Sequence, residues 1–81
     1  PRLVDPNARP DDWQRSDRSL AFRLKGYVPL AFSLAGIQHC TVSANSQPLT
    51  ATRQTRQGEA VIQHYRHAHA AAQIQVRCPG R

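Results

Sequence analysis

Ala72-Gln73-Ile74-Gln75-Val76-Arg77-Cys78-Pro79-Gly80 is the stretch on which the fold turns. Ala72, Ile74, Val76 and Cys78 alternate with Gln73, Gln75 and Arg77, a period of two that puts apolar side chains on one face of a strand and polar ones on the other. Pro79-Gly80 then stops it. The residues just upstream admit two readings. Val61, Ile62, Tyr65 and Ala68, continued by Ala72, make a stripe at helical spacing, and the alanines favour a helix. As β structure, residues 61–66 form a strand of their own and 67–71 a loop. The clean alternation that follows argues for strand throughout; a helix over residues 59–70, giving an α+β fold, is the alternative.

Upstream the same period recurs. Leu20, Phe22 and Leu24 alternate with Ala21, Arg23 and Lys25; beyond a turn at Gly26, Val28, Leu30, Phe32 and Leu34 share one face. Cys40, Val42 and Ala44 then alternate with His39, Thr41 and Ser43. Asn45-Ser46-Gln47-Pro48 and Gln57-Gly58 are turn signals, with a short polar strand over residues 49–54 between them. Turns every ~8–12 residues between such runs predict an all-β fold, a small antiparallel sandwich in which strand 72–78 pairs with the strand carrying Cys40.

Cys40 and Cys78 are the two cysteines, neither within a CxxC arrangement, so a thioredoxin-type or four-cysteine zinc site is excluded. A bridge between them would close a loop of about 39 residues and stabilise by about 4 kcal/mol in the chain-entropy model. A structural disulfide is therefore expected. It implies an oxidising compartment: periplasm, cell surface or secreted space. The resulting fold resembles immunoglobulin-like domains in architecture only, those domains also using a bridge between sheets. Val76 stands two residues before Cys78, where they carry Tyr, and no Trp lies between the cysteines.

Residues 1–17 hold three of the six prolines, and three Arg against four Asp, net −1; they predict a flexible lead-in, with Trp13 pinning its end. Residues 18–81 are the expected single β-rich domain, eight basic groups against Glu59 alone, net +7. The first residue is Pro1, as in a mature product or an excised domain. The longest apolar run, residues 27–37, is too short and too interrupted to span a membrane as a helix.

Function is read from what this frame can carry. A chain of 81 residues buries only about 60% of its unfolded surface, which leaves little room for an enzyme pocket besides a core. No elbow motif surrounds Ser16, Ser19, Ser33, Ser43 or Ser46, so hydrolase chemistry is not expected. No cofactor motif is present. His67 and His69 would share one side of a strand, and His39 could add a third imidazole for zinc or copper; the plainer reading is exposed histidines. Four imidazoles on a basic domain also suggest a response to mild acid. Arg23, Lys25, Arg53, Arg56, Arg66 and Arg77 are candidates for contact with carboxylates or phosphates. Aromatic residues do not interleave with them as in a base-stacking platform. The uncharged stretch from Gly26 to Thr52 is what a central sandwich core produces; alternatively its 28–34 part is a sheet edge covered by a partner strand.

The expectation is a non-enzymatic, extracytoplasmic binding or assembly module of a cell-envelope, secretion or adhesion system. Its partner would be a strand-donating protein, or an acidic protein or envelope polymer. A nucleic-acid or polyanion binder and a small histidine-based metal-binding protein are the alternatives.

Overall fold

Phe22 and Ile74 stand opposite each other on neighbouring strands, both without exposed surface, and the sandwich is built outward from such pairs. A computed structural model of the chain describes residues 2–79, and among them there are nine strands and no helix. These are β1 (Arg2–Val4), β2 (Arg9–Ser16), β3 (Ser19–Lys25), β4 (Ala31–Ala35), β5 (Thr41–Ala44), β6 (Gln47–Pro48), β7 (Arg53–Gln57), β8 (Ala60–Arg66) and β9 (Ala71–Arg77). They form two antiparallel sheets, ordered β1-β4-β8-β7 and β2-β3-β9-β5-β6, packed face to face. Residues 59–70 are thus not helical: β8 occupies most of them, in register with β4 from Ala31↔Arg66 to Ala35↔Ile62.

Alternation does what the sequence promised in the larger sheet. Leu20, Phe22 and Leu24 on β3, Ala72, Ile74 and Val76 on β9, and Val42 and Ala44 on β5 are buried, while Arg23, Lys25, Gln75, Arg77 and Thr41 face solvent. The opposing sheet supplies Phe32, Leu34 and Tyr65 to the same core. Phe32 meets Phe22 edge-on at 6.4 Å and stacks on Tyr65 at 5.5 Å, so aromatic contact runs continuously from one sheet to the other. Asn45 and Ser46 both have positive φ, 51° and 67°, as a two-residue hairpin between right-twisted strands requires.

The structure differs from the expected arrangement at three points. Residues 2–16, expected as a flexible lead-in, contribute β1 to one sheet and β2 to the other. Tertiary partners override composition there: Arg23 binds Asp11 at 3.2 Å and Asp12 at 2.8 Å, and Trp13 packs on Phe22 at 5.1 Å. The run over 28–34 is no sheet edge, because β4 lies between β1 and β8. The polar strand expected at 49–54 begins later, at Arg53, after residues 49–52 have crossed from one sheet to the other. The Cys40–Cys78 bridge joins the adjoining ends of β5 and β9, which pair as expected for strand 72–78 and the strand carrying Cys40; it lies within one sheet, unlike the bridge between sheets of immunoglobulin-like domains.

Tyr65 gives this core a pH signature. It is 4% exposed, its hydroxyl donates to Gln63 Oε1 at 3.1 Å, and burial raises the phenol above its ordinary pKa of 10.0. A raised folded-state pKa means the folded chain holds its proton more tightly. Tyr65 therefore contributes stability that is complete below pH about 10 and is lost as pH rises through the folded value, with a slope of at most about 1.4 kcal/mol per pH unit. Urea titrations between pH 8 and 11 should show Tyr65→Phe losing stability less steeply than the unmodified chain; identical slopes would refute the assignment.

Candidate functional site

Three connections between the sheets converge at one end of the sandwich. Residues 5–8 lead from β1 to β2, residues 26–30 from β3 to β4, and residues 67–70 from β8 to β9. The strand registers place all three together, and hydrogen bonds lock them. Asn7 acts as a false strand residue against Ala31: its backbone N–H donates to Ala31 O at 3.0 Å, its side-chain Oδ1 accepts from Ala31 N at 3.0 Å, and its Nδ2 donates to Pro29 O at 3.1 Å. Gly26 N donates to Ala70 O and Leu30 N to His69 O, while His67 N donates back to Leu30 O. At Gly26 a Cβ would come to 3.0 Å from the Ala8 Cβ, so the chain needs glycine where the first two loops touch.

This clamped base projects apolar surface into water. Tyr27 is fully exposed, at 102% of its reference area, and Val28 is 55% exposed. Beside them lies an open hollow of about 730 Å³ lined in part by Asn7, Arg9, Asp11, Lys25, Tyr27 and Val28. A second, of about 410 Å³, is lined in part by Asn7, Leu30, Arg66 and His67, so Asn7 is a wall of both. Among the described residues Asp11 is engaged by Arg23, whereas Arg9, Lys25 and Arg66 have no carboxylate within ion-pair distance. The rim is therefore cationic around an aromatic tip.

No family model, curated protein or solved structure matches the chain.

The basic residues singled out in the sequence do not form one patch. Lys25 and Arg66 reach the loop end. Arg23, one strand position pair away, is neutralised by its two aspartates. Arg53 and Arg56 lie on the edge strand β7, and Arg77 lies at the other end of β9, in a shallow polar hollow of about 260 Å³ with Thr41, Ser43, Ser46 and Gln75. The three imidazoles do not assemble either. His67 and His69 are neighbours, ring centroids 5.3 Å apart, but His39 sits in the β4–β5 connection at the opposite end. Among the described residues no group of three or more His, Cys, Asp or Glu side chains is placed to hold a metal. The His67 Nε2 atom is buried and has no hydrogen-bond partner among those residues.

Tyr27 and Val28 were hidden by the sequence's own regularity, since Val28 continues the alternation of Leu30, Phe32 and Leu34. The available signal was their bracketing by Gly26 and Pro29, which keeps residues 27–28 outside the strand. Equally invisible was the strand-joining role of His64. Its Nδ1 lies 2.7 Å from Ser33 Oγ and its Nε2 2.8 Å from Thr55 Oγ1, so one imidazole bolts β4, β8 and β7 together. Ser33 is only 6% exposed, and none of these three residues lines the hollows described above. The contact joins strands.

The disulfide is compatible with an oxidising, extracytoplasmic location. No helix long and apolar enough to cross a membrane occurs among the described residues.

Proposed function

We propose that the chain is a non-enzymatic binding or assembly module of the periplasm, cell surface or secreted space, working in a cell-envelope, secretion or adhesion system. Its three-loop end contacts a protein partner that presents acidic groups around an apolar recess. The observation that carries this reading is Tyr27, wholly in water at the tip of a connection that Asn7, Ala70 and His69 hold in place. A rigid aromatic residue on a clamped loop costs little conformational entropy to bury, which is why Tyr dominates many binding surfaces. Arg9, Lys25 and Arg66 around it suit carboxylates and would steer an acidic partner.

The test is retention from an envelope extract of the native source on immobilised chain, compared with Tyr27→Ala. A partner that contacts the loop end should bind Tyr27→Ala at least tenfold more weakly, about 1.4 kcal/mol or more, with folding unchanged. A partner retained equally by the variant overturns the assignment of the site. Binding of DNA or another polyanion that falls steeply with salt and ignores Tyr27 would instead support the polyanion reading.

A further inference from the structure

We propose that β7 is a strand-addition edge that accepts an extended, acidic segment of a partner protein. It is a second contact surface, on the side of the molecule away from β1, and depends on the reading above only in supposing a protein partner. The two sheets have four edge strands: β1 and β7 in one, β2 and β6 in the other. Three of them are poor templates. β1 has three residues, β6 has two and includes Pro48, and β2 carries Pro10 and a break in register between Asp11 and Gln14.

β7, Arg53-Gln54-Thr55-Arg56-Gln57, has none of these defences. It contains no proline, pairs with β8 in unbroken register from Arg53↔His64 to Gln57↔Ala60, and exposes all five residues. The amide groups it does not share with β8 face away from the sheet, and among the described residues no other backbone group takes them. The edge is also held straight in advance. Thr55 Oγ1 meets His64 Nε2, which in turn is fixed through Nδ1 to Ser33, and Thr52 donates from both N and Oγ1 to His64 O where the strand begins. A partner strand would therefore meet an ordered template.

Charge selects the occupant. Arg53 and Arg56 project to opposite faces of the strand, and the nearest acid in sequence, Glu59, lies beyond the strand in the β7–β8 turn. If β7 paired antiparallel with β7 of a second copy about Thr55, Arg53 would oppose Gln57 and Arg56 would oppose Gln54, placing four arginines and no carboxylate in the new ladder. The same arginines that discourage self-pairing match an incoming strand with Glu or Asp at facing positions.

The experiment uses the full, oxidised chain and a ten-residue peptide of Thr and Val with Glu at positions three apart, one on each face of the strand, against the same peptide with Lys for Glu. Hydrogen exchange resolved by residue should show the acidic peptide protecting amides within residues 53–57, and the lysine peptide should not. Arg53→Glu with Arg56→Glu, at exposed positions, should keep the fold, weaken the acidic peptide at least tenfold and admit the lysine peptide. Tyr27→Ala should leave this binding unchanged, which separates failure here from failure at the loop end. Millimolar acidic peptide without protection over 53–57, protection confined to the loop end, or self-association of the chain through β7 would each overturn the proposal.

Discussion

Replacing both cysteines by serine is expected to lower the stability of the chain by about 4 kcal/mol and its melting temperature by about 15–30 °C. The size follows from the separation of Cys40 and Cys78, 38 residues, rather than from contacts the sulfurs make. Thr41 and Arg77, the residues just inside the bridge, already pair as β5 and β9. Cys40 N donates to Ile37 O and Cys78 N to Arg18 O, so backbone hydrogen bonds hold both ends without the sulfurs. The native sheet can then persist in the serine variant, and the loss falls on the unfolded chain, which regains the freedom of the open loop. A domain of 81 residues typically has about 4–12 kcal/mol in all, so the bridge supplies between a third and nearly the whole. Urea denaturation of the two forms measures it. A difference below about 1 kcal/mol would show that the unfolded chain gains little from release, and would remove the stability argument for an oxidising compartment.

The cysteine pair was legible in the sequence because each cysteine ends an alternating run, and alternation is a local signal. β3 and β9 were legible for the same reason: one face of each lies in the core and the other in water, so Leu20, Phe22 and Leu24 against Arg23 and Lys25 write the burial pattern directly into the residues. β8 is central and buried from both sides. Tyr65 joins the core cluster, while Ile62 and its cross-strand neighbour Ala35 are buried outside it. Two-sided burial erases the period of two, and the remaining apolar residues mimic a helical stripe.

β2 failed in the opposite way. An edge strand exposed along most of its length needs few apolar residues, so its aspartates and proline read as disorder. Its order comes from Arg23 and Phe22 of β3, which face it only once the β2–β3 hairpin has formed. The loop end was half legible. Gly26 and Pro29 mark a turn, yet nothing local says that residues 5–8 and 67–70 arrive beside it, because that depends on which sheet each strand joins. The basic residues show the same limit: composition counts Arg23 as a free cation, and the fold spends it on Asp11 and Asp12.

Phe22→Ala should destabilise the chain by about 3–5 kcal/mol, enough to leave much of it unfolded at 37 °C even with the bridge intact. Phe22 has no exposed surface and meets three other strands: Trp13 of β2 at its side, Phe32 of β4 across the sandwich, and Ile74 opposite it on β9. Truncation removes the ring's burial and leaves a cavity that two sheets held together by clamped connecting loops can close only in part. Phe22→Leu, which retains more of the volume, should cost less. Because the disulfide acts on the unfolded chain and Phe22 on the folded core, the two losses should add when combined in a background stable enough to measure. Trp13 should behave differently: it is 45% exposed, so Trp13→Ala alone costs less than Phe22→Ala. A double-mutant cycle between Trp13 and Phe22 should nevertheless yield a coupling of about 0.5–1.5 kcal/mol, the aromatic contact beyond shared burial. Zero coupling would mean that β2 does not dock through Trp13. Beyond its backbone pairing with β3, β2 would then be held by the Arg23 ion pairs, and raising the salt concentration should loosen it.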